Sequence, residues 1–267
     1  MSEHRGRVLI VAGSDSGGGA GIQADIKTVT VLGGYAATAI TAITVQNTLG
    51  VSAIQGLSPD LVEAQARAVL DDIGADALKF GMLGDAAMVE AAARIIDSAP
   101  GIPAVVDPVM IAKGGAALLA GGGAEALRSL MIRRAALLTP NAPEAAELTG
   151  LVVETTDDLR RAGEALLALG AGAVLMKGGH VAGERVIDVL MTAQGETTFE
   201  GPRIETRHTH GTGCTLASAC AVGLAQGLPM EQAVGRAWGY VAEAIRLAPG
   251  LGAGHGPLDH AWPVRGT

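Results

Sequence analysis

Arg7-Val8-Leu9-Ile10-Val11-Ala12 runs straight into Gly13-Ser14-Asp15-Ser16-Gly17-Gly18-Gly19-Ala20-Gly21, and a helical pattern follows from Ile22 to about Leu32. An apolar run with no polar alternation predicts a strand covered on both faces, which is the signature of a parallel sheet between helices. A glycine-rich turn between such a strand and a helix is where nucleotide fingerprints occur, yet neither common one fits. No lysine is present for a Walker loop, and Gly17 and Gly19 would require a glycine where Ile22 stands. The turn is therefore expected to hold something other than a triphosphate. Asp25, early in the helix, is either a charge that suits the helix dipole or a hydrogen-bond acceptor for a ligand above the turn.

Moving outward, the same strand-to-helix unit recurs. Strands are predicted at Tyr35 to Val45, Asp76 to Phe80, Ile102 to Val106, Ala136 to Thr139 and Ala173 to Met176. Helices are predicted from Ser58-Pro59-Asp60 to about Ile73, from Asp85 to Asp97, from Pro140-Asn141-Ala142-Pro143-Glu144 to about Thr149, and from Thr156-Asp157-Asp158 to Leu169. Val186 to Thr192 and Thr197 to Gly201 read as a hairpin at the sheet edge. Lys113 to Gly123, with its many glycines, reads as a mobile flap. A helix from Gly213 to Gln226 and another from Pro229 to Leu247 close the pattern. One domain, 1–267, with a three-layer α/β/α architecture and a mostly parallel central sheet is the expectation.

Ligands in open α/β sheets bind beyond the carboxyl ends of the strands, so the residues at those ends carry the chemistry. Gln46 is placed to pair with a heterocycle edge. Met82, between Gly81 and Leu83-Gly84, is either packing or the apolar wall of a pocket. Asp107, in Asp107-Pro108-Val109-Met110, suits metal or phosphate chemistry or a cap-like structural role. Asn141 and Glu144, three apart, share one helical face where they either cap the helix or orient the water shell of Mg²⁺. Lys177, before Gly178-Gly179-His180, is a point charge at the same edge or a solvated surface lysine. His210-Gly211-Thr212-Gly213-Cys214-Thr215 then turns into a small-residue helix. The first-turn N–H groups have no partners within a helix and the dipole end is positive, so Gly211, Thr212 and Gly213 form a nest for phosphate oxygens, or else a plain glycine turn. Cys214 there is expected to be a thiol of lowered pKa, a base beside the anion.

Composition narrows the partners. Net charge is −8 and no cluster of Lys and Arg occurs, which argues against nucleic acid. No window reaches the roughly 18 uninterrupted apolar residues of a membrane span, and the opening residues do not resemble a signal peptide, so no membrane and a cytoplasmic location are expected. Aromatic residues make up only 2% of the chain, so the core must be built from Ala, Val, Leu and Ile. Cys214 and Cys220, six apart on one helix, are separated by about 9 Å along its axis, too far for a disulfide.

Taken together and in order, Ala12 to Asp15, Gly21 to Asp25, Val45 to Thr48, Lys79 to Met82, Asp107 to Met110, Thr139 to Glu144, Lys177 to His180 and Thr209 to Thr215 resemble the ribokinase-like superfamily. Within it, nearly the whole chain is similar to the hydroxymethylpyrimidine/phosphomethylpyrimidine kinases of thiamine biosynthesis, departing from the usual form at Ser16-Gly17-Gly18. The resemblance implies ATP- and Mg²⁺-dependent phosphorylation of 4-amino-5-hydroxymethyl-2-methylpyrimidine and then of its monophosphate, and a homodimer. Carried over, Gly13, Asp25, Gln46, Met82 and Val109 line the pyrimidine site. Asp107, Asn141 and Glu144 serve metal and phosphates, while Lys177 and Thr212 contact the nucleotide phosphates. Cys214 stands where related sugar kinases place an aspartate base. Pyridoxal or pyridoxine kinase is the rival enzyme, and a catalytically silent pyrimidine-binding regulator the rival from another class.

Overall fold

A computed structural model describes residues 6–111 and 115–265. The chain alternates as expected. β1 (Arg7–Asp15), α1 (Gly21–Val31) and β2 (Tyr35–Asn47) form the first unit. A strand absent from the sequence reading, β3 (Gly50–Gly56), comes next, before α2 (Pro59–Asp72). Then come β4 (Ala77–Phe80), α3 (Ala86–Asp97), β5 (Ala104–Val106), the single turn α4 (Gly123–Ala126), β6 (Leu137–Leu138), α5 (Ala142–Thr149) and α6 (Thr156–Ala168). β7 (Ala173–Met176), the hairpin β8 (Arg185–Thr192) and β9 (Gly195–Pro202), α7 (Thr212–Ala225) and α8 (Met230–Arg246) complete the chain.

The nine strands form one sheet in the order β3-β2-β1-β4-β5-β6-β7-β8-β9. Pairings from β2 through β7 are parallel, whereas β3, β8 and β9 add antiparallel edges. β1 leads to β2 on one side and, after β3 and α2, the chain returns to β4 on the other. This reversal is the switch point where a crevice opens beyond the strand ends.

Alternation along each buried strand divides the interior in two. Leu9, Val11, Leu78, Phe80, Val106, Leu138 and Val174 pack against α2, α3, α5 and α6. Val8, Ile10, Ala12, Ala77, Val105, Leu137 and Leu175 pack against α1, α7 and α8. Ala217, Ala219 and Ala221 of α7 are fully buried, so this helix lies close on the sheet because its side chains are short.

Caps fall nearly where the sequence puts them: Ser58, Asp85 and Asn141 each accept the N–H three residues on. The α6 cap is Thr155, one residue before the predicted Thr156. Lys113 and Gly114 of the predicted flap lie outside the described residues. The remainder of that segment is held down: Leu118 and Leu119 donate to the Met110 carbonyl and Ala120 to that of Gly84.

Candidate active site

The strand ends beside the switch point gather two clusters, joined by the loop that enters α7. The first surrounds Lys177 at the exit of β7. Its ammonium donates to Asp107 Oδ1 at 2.9 Å and stands 3.8 Å from Glu144 Oε2. Thr139 donates to the same Asp107 oxygen at 3.0 Å. Burial opposes the charge on Lys177, but Asp107 and Glu144 hold it above its ordinary pKa. Burial pushes the Glu144 carboxyl up to about 7, against the pull of Lys177. Asn141 and Glu144 form a capping box, the Asn141 side chain accepting from Glu144 N and Glu144 Oε2 accepting from Asn141 N. The capping reading of that pair holds, and Glu144 also faces Lys177. The turn after Lys177 is pinned by Gly178 N, which donates to buried Asp188 at 2.7 Å.

Gly213 faces this cluster. A Cβ there would lie 3.2 Å from Lys177 Nζ and 3.5 Å from Asp107 Oδ2, so the glycine lets backbone N–H groups stand where a side chain would block them. Gly213 and Cys214 fall in the first turn of α7, whose N–H groups have no carbonyl four residues back inside the helix. Gly211 through Cys214 each keep partial exposure, so this end opens toward solvent. Gly211 has a φ of +84° and is packed so tightly on the first glycine loop that a Cβ would fall on the Gly19 carbonyl.

The second cluster lies at the ends of β1 and β2. Asp15 accepts the N–H groups of Gly17, Gly19 and Ala20 and stands 2.9 Å from His210 Nε2. Burial opposes its ionisation, but His210 and these N–H groups keep its carboxyl below the usual range. Gln46 Nε2 lies 3.3 Å from the same His210 nitrogen. A Cβ on Gly13 would lie 3.0 Å from the Met82 sulfur, so β1 and the turn after β4 meet closely here. Val109, half-exposed, comes shortly after Asp107 in the next turn.

Two expectations are corrected. Asp25 does not face a ligand: it is fully buried, paired with Lys79 at 2.8 Å, and receives the Ser218 hydroxyl at 2.7 Å. It ties α1, β4 and α7 together beneath the crevice. Cys214 is not a low-pKa thiol, because burial, opposed by Lys79 and aided by Asp25 and Asp107, pushes it up to about 11. Desolvation outweighs the pull of Lys79 here. Cys214 and Cys220 are both free thiols, Cys220 buried in the core.

The sequence reading missed Lys79, Asp188 and the pairing of Asp15 with His210 as groups that shape the site. Lys79 carried a signal, as a lysine inside an otherwise apolar strand. Among the described residues no group of three or more His, Cys, Asp or Glu is arranged to hold a metal ion, and no helix is long and apolar enough to cross a membrane. Clefts of about 340 Å³ beside Gly178 and Ile187 and about 350 Å³ beside Gln46 and Val51 open near the two clusters.

The family model described as phosphomethylpyrimidine kinase matches residues 15–259. The chain belongs to that family. A hydroxymethylpyrimidine/phosphomethylpyrimidine kinase of Streptomyces coelicolor is 50% identical over 96% of this chain and 95% of its own length. The thiamine biosynthesis bifunctional protein ThiED of Geobacter sulfurreducens is also 50% identical over 96% of this chain, which spans 52% of that longer protein. Among solved structures, the pyridoxal kinase of Bacillus subtilis in an ADP complex superposes with a TM-score of 0.91 at 35% identity, covering 98% of this chain and 99% of its own. A phosphomethylpyrimidine kinase of Clostridium difficile superposes at 0.80 with 40% identity, covering 90% of this chain and 99% of its own. As a member of this ribokinase-like kinase family the chain is a phosphotransferase with the three-layer fold expected of it.

Proposed function

We propose that the chain transfers the γ-phosphoryl group of ATP to the hydroxymethyl oxygen of 4-amino-5-hydroxymethyl-2-methylpyrimidine and then phosphorylates the monophosphate to the diphosphate. In the first step the alcohol oxygen bonds to γ-phosphorus, the bond to the β–γ bridging oxygen breaks, ADP leaves and the alcohol proton is shed. In the second, a phosphate oxygen of the monophosphate attacks in the same way. The observation that carries the reading is the juxtaposition at Gly213: first-turn amides directly before a lysine held by two carboxylates.

Phosphoryl transfer depends mainly on in-line placement and on neutralising the equatorial oxygens. The amides of Gly211, Thr212, Gly213 and Cys214 would form the anion hole, and Lys177 would release Asp107 in part to meet the transferred group. With a thiol pKa of about 11, Cys214 is protonated at neutral pH and is a poor general base. A loose transition state needs little base, so the hydroxyl proton leaves late, when the new ester oxygen has become acidic.

Asp107 and Glu144 both face Lys177, and Glu144, with its carboxyl raised to about 7, adds a second negative charge near neutral pH, which fits Mg²⁺ bound through one or two carboxylates, waters and substrate phosphates. Asp107 and Glu144 would hold the ion, Asn141 would set Glu144 through the capping box, and the ion would supply charge neutralisation on the phosphates. Gly13, Gln46, Met82 and Val109 are the residues proposed to line the heterocycle pocket. A homodimer in the cytoplasm completes the reading.

An ATP-coupled turnover assay with the pyrimidine alcohol, its monophosphate and pyridoxal tests the assignment. Turnover of both pyrimidines supports it. The similarity to the pyridoxal kinase structure favours pyridoxal phosphorylation as the second reading, which turnover of pyridoxal alone would establish. Absence of ADP formation with any hydroxymethyl heterocycle would instead indicate a silent binder.

A further inference from the structure

Asp15, His210 and the β2 residues Thr44 and Gln46 come from three places in the chain and meet at one carboxamide. Gln46 has its backbone fixed first: its N–H donates to, and its carbonyl accepts from, the Ser16 hydroxyl at 2.9 and 2.8 Å. What remains free is which way round the side-chain amide lies. Its Nε2 stands 3.3 Å from His210 Nε2 and its Oε1 3.1 Å from Thr44 Oγ1. Amide oxygen and nitrogen exchange places on a half-turn, so hydrogen count decides between the two orientations.

Asp15 is ionised and accepts only; with His210 Nε2 at 2.9 Å, that nitrogen must carry the proton. An N–H donor on Gln46 facing it would then oppose donor to donor. Thr44 has one hydroxyl proton, and the Ser14 carbonyl takes it at 2.9 Å. An Oε1 facing Thr44 would oppose acceptor to acceptor. Turning the amide removes both conflicts: Gln46 Nε2 donates to Thr44, and its Oε1 shares the single Nε2–H that His210 directs mainly to Asp15.

We propose that the Asp15–His210 pair holds the Gln46 carboxamide with Oε1 toward His210 and Nε2 toward Thr44, making His210 a specificity-determining positioning residue. A carboxamide offers two donor and two acceptor positions, so one of each stays free, in a fixed left-to-right order. That order suits a heterocycle edge carrying an exocyclic amine beside a ring nitrogen. The kinetic consequence rests on Gln46 contacting the heterocycle; the orientation itself does not.

Two measurements test it on the full-length chain. With ¹⁵N-glutamine labelling, the Gln46 amide protons, assigned by their loss in Gln46→Glu, should show a nuclear Overhauser contact to the Thr44 methyl group; a contact to the His210 ring carbons' protons alone would overturn the proposal. In kinetics, His210→Phe should raise KM for the aminopyrimidine alcohol about tenfold, with kcat and KM for ATP within about threefold. His210→Gln, whose amide again donates to Asp15, should recover most of that loss. If His210→Phe does not fold, Thr44→Val should raise the same KM. An unchanged pyrimidine KM in these variants, while Gln46→Ala raises it, sinks the orientation. An unchanged KM in Gln46→Ala sinks the assignment of Gln46 to the pocket instead, and the amide contact still decides the orientation.

Discussion

Two lysine–aspartate pairs of nearly equal length lie under the same crevice, and they serve opposite ends. Lys79 and Asp25, 2.8 Å apart, have no exposure at all. Lys177 and Asp107, 2.9 Å apart, leave 13% of the lysine side chain open. The difference lies in the third partner. Asp25 is completed by a neutral donor, the Ser218 hydroxyl, so the sealed pair balances to zero. Lys177 has a second acid, Glu144, at 3.8 Å, so the open group takes on surplus negative charge beside the first-turn donors of α7 as Glu144 ionises near pH 7. A balanced pair ties elements together, whereas an unbalanced one invites a cation and a phosphate.

The largest effect is expected from unbalancing the sealed pair. Lys79→Met leaves a charged Asp25 with no water and should cost about 3–5 kcal/mol of unfolding free energy, read by urea titration. The triple variant Lys79→Met, Asp25→Leu, Ser218→Ala removes every polar member and should regain most of it. A single variant as stable as the parent would mean that Asp25 has other means of neutralisation.

At the open pair the effect should move from stability to rate. Lys177→Met should lower kcat by roughly 10²–10³, the range for losing one preorganised donor at developing charge. Its stability loss should be smaller than that of Lys79→Met, because the carboxylates left behind face the crevice and Glu144 readily takes a proton. Equal stability losses in the two variants would erase the distinction between the pairs.

Glu144 sharpens the comparison through pH. Its carboxyl is raised in the folded chain from the ordinary 4.5 to about 7. Folding thus favours the protonated form: below pH 4.5 the group has no effect, and stability falls as pH rises from 4.5 toward 7, where the unfolded carboxyl has ionised and the buried one still holds its proton. Glu144→Gln keeps an acceptor for Asn141 N and should flatten that part of the curve. Asp188, raised to about 6 by burial, contributes a similar slope, so the wild type minus Glu144→Gln difference isolates Glu144. A difference independent of pH between 4.5 and 7 would show that Glu144 ionises normally.

Much of this was legible in the chain because apolar periodicity writes the parallel strands directly. β3 was not, for its residues from Ser52 to Gly56 are exposed, and an edge strand that buries almost nothing has no apolar face to mark it. Gln46, Asp107 and Lys177 lie at strand ends, as their sequence positions indicate, and topology alone places such residues beside the crevice. Asp25 was misread because position on α1 does not say whether a carboxylate looks up at a ligand or down at a lysine. The clue was Lys79, a charge in a strand with no solvent face, which requires a buried acid somewhere.

Cys214 gives the smallest expected effect and lies between the two pairs, with Lys79, Asp25 and Asp107 all acting on its thiol. Burial and the carboxylates of Asp25 and Asp107 oppose the thiolate, Lys79 favours it, and the thiol is pushed up to about 11. At pH 7.5 only about one molecule in several thousand then carries a thiolate, too few for a resting base. Cys214→Ser should therefore change kcat by less than about tenfold and leave the shape of its pH dependence between 6 and 9 unchanged, since hydroxyl and thiol are both neutral there. A loss beyond a hundredfold, accompanied by disappearance of a rising limb toward alkaline pH, would restore the thiolate as the proton acceptor and place Cys214 with the open pair.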